Sequence, residues 1–266
     1  MNKSNSATNQ TTRRNFLKNS AVVTATGLTV SSILSASGCS ENIACPFIGG
    51  ACRLTDTNNT ILFQGDSITD SGRDRRSRNN ANDVRAMGTG YVLLAASQLL
   101  DKYSKVKPKI YNRGISGNKV FQLAERWDDD CIALKPGIVS ILVGVNDYWH
   151  ISKHGYEGTV ETYEKDYRAL LQRTRRELPE ATLVVCEPFV LQCGEVDKSW
   201  FPAFDGYRAA AKKVAAETKT IFVPFQSVFN KATRRAPAQY WTADGVHPTL
   251  AGAHLMAKAW LKAVLG

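Results

Sequence analysis

Five short apolar runs punctuate the chain, at 61–63, 109–111, 138–143, 182–186 and 221–223. They close on Gly65, Gly144, Pro188 or Pro224, residues that stop regular structure. None alternates cleanly between apolar and polar, so each reads as a strand buried on both faces. Between them lie stretches of helical period. Residues 91–103 form one and 204–218, rich in Ala and Lys, another. The longest spans 159–178 and places Tyr163, Tyr167, Leu170, Leu171 and Thr174 on one face. The last spans 250–265, with either Leu255, Ala259 and Ala263 or Met256, Trp260 and Val264 as its buried row. Strands alternating with helices predict an α/β domain over 60–266, with a parallel sheet covered on both faces. A site in such a domain belongs beyond the carboxyl ends of the strands.

The polar signals cluster at those ends. Gly65-Asp66-Ser67-Ile68-Thr69-Asp70 follows the first run, and Asn112-Arg113-Gly114-Ile115-Ser116-Gly117-Asn118 follows the second. Gly144-Val145-Asn146-Asp147 follows the third, and Asp244-Gly245-Val246-His247-Pro248 precedes the last helix. A serine hydroxyl is a weak nucleophile and needs a neighbouring base. Ser67 sits on a turn where a hydroxyl can project into a cleft. His247 is the candidate base, because Asp244 three positions earlier can reach its other ring nitrogen within one loop. His150 and His154 stand four apart without a glutamate-containing zinc motif, and His254 reads as a helix-face residue. No metal is implied.

These four blocks, in this order on one α/β pattern, resemble the SGNH (GDSL) hydrolase family. Gly88-Thr89-Gly90-Tyr91-Val92, Arg126-Trp127 and Asp147-Tyr148-Trp149 extend the likeness toward the serine acetylxylan esterases of that family. The resemblance covers roughly residues 60–262. It implies a flavodoxin-like three-layer α/β/α sandwich with a five-stranded parallel sheet, ester hydrolysis without a cofactor, and acetylated carbohydrate as substrate. It also implies an oxyanion hole made of the backbone N–H groups of Ser67 and Gly117 and the side-chain amide of Asn146. Asp66, Tyr148, Trp149 and Arg73 are candidate substrate contacts. Asp66 and Asp147 also suit a loop-positioning role, and Tyr148 and Trp149 suit core packing. The 189–204 connection is expected to wall the site.

Composition adds a question of charge. The chain of 266 residues carries a net +10 and is 43% hydrophobic, which fits a globular protein rather than a disordered one. Four of those charges, Lys3, Arg13, Arg14 and Lys18, lie within 1–38, which holds no acid. There Thr12-Arg13-Arg14-Asn15-Phe16-Leu17-Lys18 matches the twin-arginine export pattern, and an apolar run from Ala21 to Leu34 follows it. Ala36-Ser37-Gly38-Cys39 then resembles a lipidation site at Cys39, while Gly38 also suits plain cleavage. Residues 39–59 read as a tether, giving an exported or lipid-anchored enzyme at the cell envelope. Export permits disulfides, for which Cys45/Cys52 and Cys186/Cys193 are near neighbours. A further net +3 lies in Arg73-Asp74-Arg75-Arg76-Ser77-Arg78, expected as a solvated loop and alternatively as an attractor of an acidic sugar. Competing readings are a lipid-directed acylhydrolase, a non-catalytic carbohydrate-binding lipoprotein and a nucleic-acid binder. The last rests on basicity alone and lacks a basic helix or an aromatic-and-basic platform.

Overall fold

The computed structural model describes Leu54 and residues 59–266. The expected export signal at 1–38, Cys39, the Cys45/Cys52 pair and all of the tether except Leu54 and Asn59 lie outside the described residues.

The five apolar runs form five strands. They are β1 (Thr60–Gly65), β2 (Lys109–Asn112), β3 (Ile138–Leu142), β4 (Thr182–Cys186) and β5 (Ile221–Val223). All neighbours pair in parallel, in the order β2-β1-β3-β4-β5. Phe63 stands beside Asn112 on one side and Ser140 on the other, so the polar segments after β1, β2 and β3 leave the sheet side by side. The chain steps from β1 outward to β2 and returns to β3 on the other flank. This makes the β1/β3 boundary the switch point at which a crevice opens.

The main helices are α1 (Tyr91–Lys102), α2 (Val145–His154), α3 (Val160–Glu177), α4 (Ala203–Glu217), α5 (Phe225–Ala232) and α6 (Leu250–Leu265). α1 and α5 pack against α6, and α3 packs against α4, giving the α/β/α layers. α3 starts where the Thr159 hydroxyl accepts the Thr162 amide at 3.2 Å, and it buries Tyr163, Tyr167, Leu170, Leu171 and Thr174 as the periodicity predicts. Of the two rows offered for α6, Met256, Trp260 and Val264 are the buried one. Trp260 lies against Phe63 with ring centroids 4.9 Å apart, and its indole N–H donates to the Ser140 hydroxyl at 2.8 Å. A polar atom inside the sheet is thus partnered rather than stranded.

Two expectations fail here. The pattern gives no helix at 145–154, yet α2 forms there. Its residues are mostly polar, and only Val145, Asn146 and Asp147 are buried. Cys186 and Cys193 do not form a bridge; both are free and buried, as is Cys131. Cys186 ends β4 beside the Ser140 hydroxyl at 3.6 Å, whereas the Cys193 sulfur lies 3.4 Å from the Thr242 hydroxyl. Seven positions of separation carry them to different neighbours. Among the described residues no helix is long and apolar enough to cross a membrane.

Candidate active site

β1 delivers Ser67. Its last residue, Gly65, is followed by Asp66, whose carboxylate accepts the Ile68 amide at 3.0 Å and starts a single turn over Ser67–Asp70. Ser67 therefore stands at the first position of that turn. Its hydroxyl lies 2.8 Å from His247 Nε2, across 180 residues of sequence. His247 Nδ1 lies 2.6 Å from Asp244 Oδ2. The other Asp244 oxygen accepts the amides of Val246 at 2.9 Å and His247 at 2.7 Å. Burial pushes the Asp244 carboxyl up, but the hydrogen bonds from the His247 amide and ring and from the Val246 amide outweigh it and hold the group below the usual carboxylate range. An ionised Asp244 keeps a proton on Nδ1 and leaves Nε2 free to accept one from Ser67.

The 189–204 connection braces this loop. The Leu191 amide donates to Gly245 O at 2.8 Å, and the Glu195 amide to Asp244 O at 2.9 Å. Gly245 has φ +93°, and a Cβ there would lie 2.4 Å from Cys193 O, so only glycine fits. From the same connection Trp200 packs against both Tyr148 and Trp149, at 5.1 and 5.5 Å between centroids.

The segments that carry the expected oxyanion donors are joined by a separate set of bonds. After β2, the Ile115 amide donates to Gly65 O at 3.0 Å and the Ser116 amide to Asp70 Oδ2 at 2.9 Å. Gly117 comes next, with φ +83°, a conformation that favours glycine. The Asn146 side-chain Nδ2 donates to Asn118 O at 3.2 Å, and the Val120 backbone amide donates to Asp147 Oδ1 at 3.3 Å. The segments after β1, β2 and β3 are thereby stitched together.

The four candidate substrate contacts separate. Asp66 is 1% exposed and its bonded oxygen serves the turn, so it is a buried loop-positioning group, not a surface for sugar. Burial pushes its carboxyl up to about 7, opposed by the Ile68 amide and by His247. Tyr148 packs among Trp200, Phe204 and Tyr207 and donates its hydroxyl to Ser199 O at 3.4 Å, so its ring belongs to the wall. Trp149 is half-buried, with its ring 6.4 Å from that of His247. Arg73 corrects the expectation of a uniformly solvated loop. It is buried, its Nε donates to Gly114 O at 2.7 Å, and it lines a cleft of about 570 Å³ together with Ser67 and His247. Asp70, Arg75, Ser116 and Tyr91 also line that cleft, which the motif reading did not single out. Ser77 is buried too, whereas Arg76 and Arg78 are exposed.

His150 and His154 meet edge to face at 4.5 Å. Burial, aided by Lys119 and His154, pulls His150 down to about 4. Among the described residues no group of three or more His, Cys, Asp or Glu could hold a metal ion.

The Ser67–His247–Asp244 line thus lies beyond the carboxyl end of β1 in a parallel 2-1-3-4-5 sheet. The GDSL-like lipase/acylhydrolase family model matches residues 63–255, and the chain belongs to that family. It is an esterase or acylhydrolase. An acetylxylan esterase of Geobacillus stearothermophilus is 35% identical over 211 residues, covering 77% of this chain and 93% of that one. A crystal structure of a GDSL-like lipase from Parabacteroides merdae has 55% identity and a TM-score of 0.78, covering 81% of this chain and 99% of its own. The Axe2 acetyl-xylooligosaccharide esterase of the Geobacillus species, solved as an arginine variant, has 34% identity and a TM-score of 0.70, covering 77% and 94%. Catalytic mutants of Axe2 replace a serine, an aspartate and a histidine, the last two three positions apart.

Proposed function

We propose that the protein removes O-acetyl groups from carbohydrate, with Ser67, His247 and Asp244 as catalytic residues. The observation that carries this reading is the unbroken line from Ser67 Oγ through His247 to Asp244, with contacts of 2.8 and 2.6 Å. Ser67 Oγ attacks the acetyl carbonyl carbon while His247 Nε2 takes its proton. The amides of Ser67 and Gly117 and the Asn146 side chain donate to the oxyanion. As the tetrahedral intermediate collapses, His247 returns the proton to the departing sugar oxygen and an acetyl-serine remains. Water, deprotonated by His247, then releases acetate and restores Ser67.

The Asp244/His247 spacing matches the aspartate and histidine of the Axe2 catalytic mutants, which supports the roles, and the 35% identity to an acetylxylan esterase supports the acetyl-sugar substrate. The cleft supports the same reading, because Asp70, Arg73, Arg75 and Ser116 offer hydrogen-bonding groups to a sugar beside an apolar flank of Ile68, Tyr91, Pro248 and Ala253. The export motif within 1–38 supports a site of action outside the cytoplasm, anchored at the cell envelope where Cys39 carries lipid and free of it where cleavage after Gly38 is plain.

The test is acetate release from acetylated xylan, acetylated xylo-oligosaccharides and a ladder of short- to long-chain esters. Acetylated sugars and short esters are expected to lead. Faster cleavage of long-chain esters would move the assignment to lipid substrates.

A further inference from the structure

Arg73 is one of five guanidinium groups gathered behind the nucleophile. Arg113, just after β2, and Arg126 both pair with Asp130, at 3.4 and 2.7 Å. Arg78 reaches the same carboxylate at 3.5 Å. Arg75 pairs with Asp70. Among the described residues Arg73 has no ion pair; Gly114 O takes its Nε, and the carboxylates of Asp70 and Asp130 act on it only at longer range. Among the described residues these five cations thus have two carboxylates between them, both buried. Three of these groups also keep a buried nitrogen without a hydrogen-bond partner among the described residues: Arg73 Nη1, Arg113 Nε and Arg126 Nη2. Burial lowers the pKa of all three, Arg73 to about 10, which leaves them charged at neutral pH.

Buried cations without partners are costly. A fold that needed these arginines only as struts would be better served by more acids around them. Arg113 shows such a strut role in part, since its Nη2 donates to Asn79 Oδ1 at 3.0 Å. Arg73 and Arg75 differ, because both line the cleft that holds Ser67 and His247. The excess charge therefore opens where substrate enters.

From this geometry we infer that the Arg73/Arg75 side of the cleft is a carboxylate subsite, which selects acetylated sugars carrying a uronic acid close to the ester. A guanidinium fork matches a carboxylate in two-point contact. A neutral acetylated sugar offers this pole only uncharged acceptors, which bind a guanidinium more weakly than a carboxylate does. The inference rests on the carbohydrate reading above and narrows it from acetylated sugars to acidic ones.

The experiment compares kcat/KM for acetylated xylo-oligosaccharides with and without a glucuronic acid branch beside the acetylated residue. It is run at low and high salt, for the wild-type protein and for Arg75→Gln and Arg73→Gln, with 4-nitrophenyl acetate as a sugar-free reference. The branched substrate is expected to lead by about tenfold at low salt. That lead should shrink at high salt and fall to within about twofold in either variant. Arg75 is half-exposed, so Arg75→Gln keeps the test open if Arg73→Gln does not fold. Equal rates on the two sugars would overturn the subsite while leaving carbohydrate deacetylation intact. A lead that survives in a folded variant would overturn the assignment to these arginines. Cleavage of the nitrophenyl ester with neither sugar cleaved would remove the carbohydrate reading and the subsite with it. Inorganic sulfate that slows both sugars equally would mark the pole as a general anion site and overturn the uronate assignment.

Discussion

Asp244 holds His247 twice: one carboxylate oxygen lies 2.6 Å from the ring Nδ1, and the other accepts the residue's own backbone amide at 2.7 Å. Ring orientation and loop conformation are therefore set by one side chain. Asp244→Asn preserves the size but removes the charge that favours the imidazolium, and its amide can face Nδ1 with a donor. The expected loss in kcat is on the order of 1,000-fold or more, with little change in melting temperature. Steady-state kinetics beside a thermal melt check it. A loss under tenfold would detach Asp244 from catalysis.

Asn146→Ala separates oxyanion binding from substrate binding. The side-chain amide is held by Asn118 O at 3.2 Å, so it is oriented before substrate arrives. Removing it is expected to cost roughly 100- to 1,000-fold in kcat with KM changed by less than about threefold. A rise in KM at constant kcat would assign Asn146 to ground-state binding instead.

Gly245→Ala tests the brace between the 189–204 connection and the His247 loop. With φ +93° and Cys193 O only 2.4 Å from the new Cβ, the loop must shift. Strain of roughly 1–3 kcal/mol is expected, which lowers the melting temperature by about 5 °C. Activity should fall with it, because Asp244 and His247 move together. An unchanged melt and unchanged kcat would show that the loop absorbs the methyl group.

Asp147 supplies a pH signature. It is 2% exposed and pushed up to about 7, chiefly by burial, against the Val120 amide and Lys119, with Asp66 and Asp166 also raising it. In the unfolded chain a carboxyl titrates near ~4. Between those values the folded form holds a proton that the unfolded form has lost, so this group's contribution to stability declines as pH rises from about 4 through about 7. Asn in its place still offers an oxygen to the Val120 amide and does not titrate. The melting temperature of Asp147→Asn, relative to wild type, is expected to climb by several degrees between pH 5 and pH 8. A difference that stays flat across that range would contradict a neutral buried Asp147.

Much of this was legible because the sheet is buried on both faces. Strands such as Ile138–Leu142 read as plain apolar runs, and glycine or proline marked their ends. Ser67, Asp244 and His247 stood out because the four polar blocks at the strand ends, in this order, resemble one hydrolase family, although each block alone is a common string. The arginine cluster did not stand out. Arg113 follows the last residue of β2, Arg126 and Asp130 lie on the next helical turns, and Arg73 follows the nucleophile. Only the parallel pairing of β1 with β2 brings them together. Linear sequence shows the 73–78 run as surface charge because it cannot show Gly114 O, Asp70 and Asp130 closing around it. The helix over Val145–His154 was hidden for a related reason. Its partners are aromatic side chains from distant segments, such as Trp200 and Phe204.

The central claim is that Ser67 is the nucleophile of a carbohydrate deacetylase. Its most direct measurement is acetate released from acetylated xylo-oligosaccharide by the wild-type protein and by folded Ser67→Ala. Steady release by the wild type is predicted, with at least a roughly 1,000-fold slower rate in the variant. Equal release by the two proteins would contradict it.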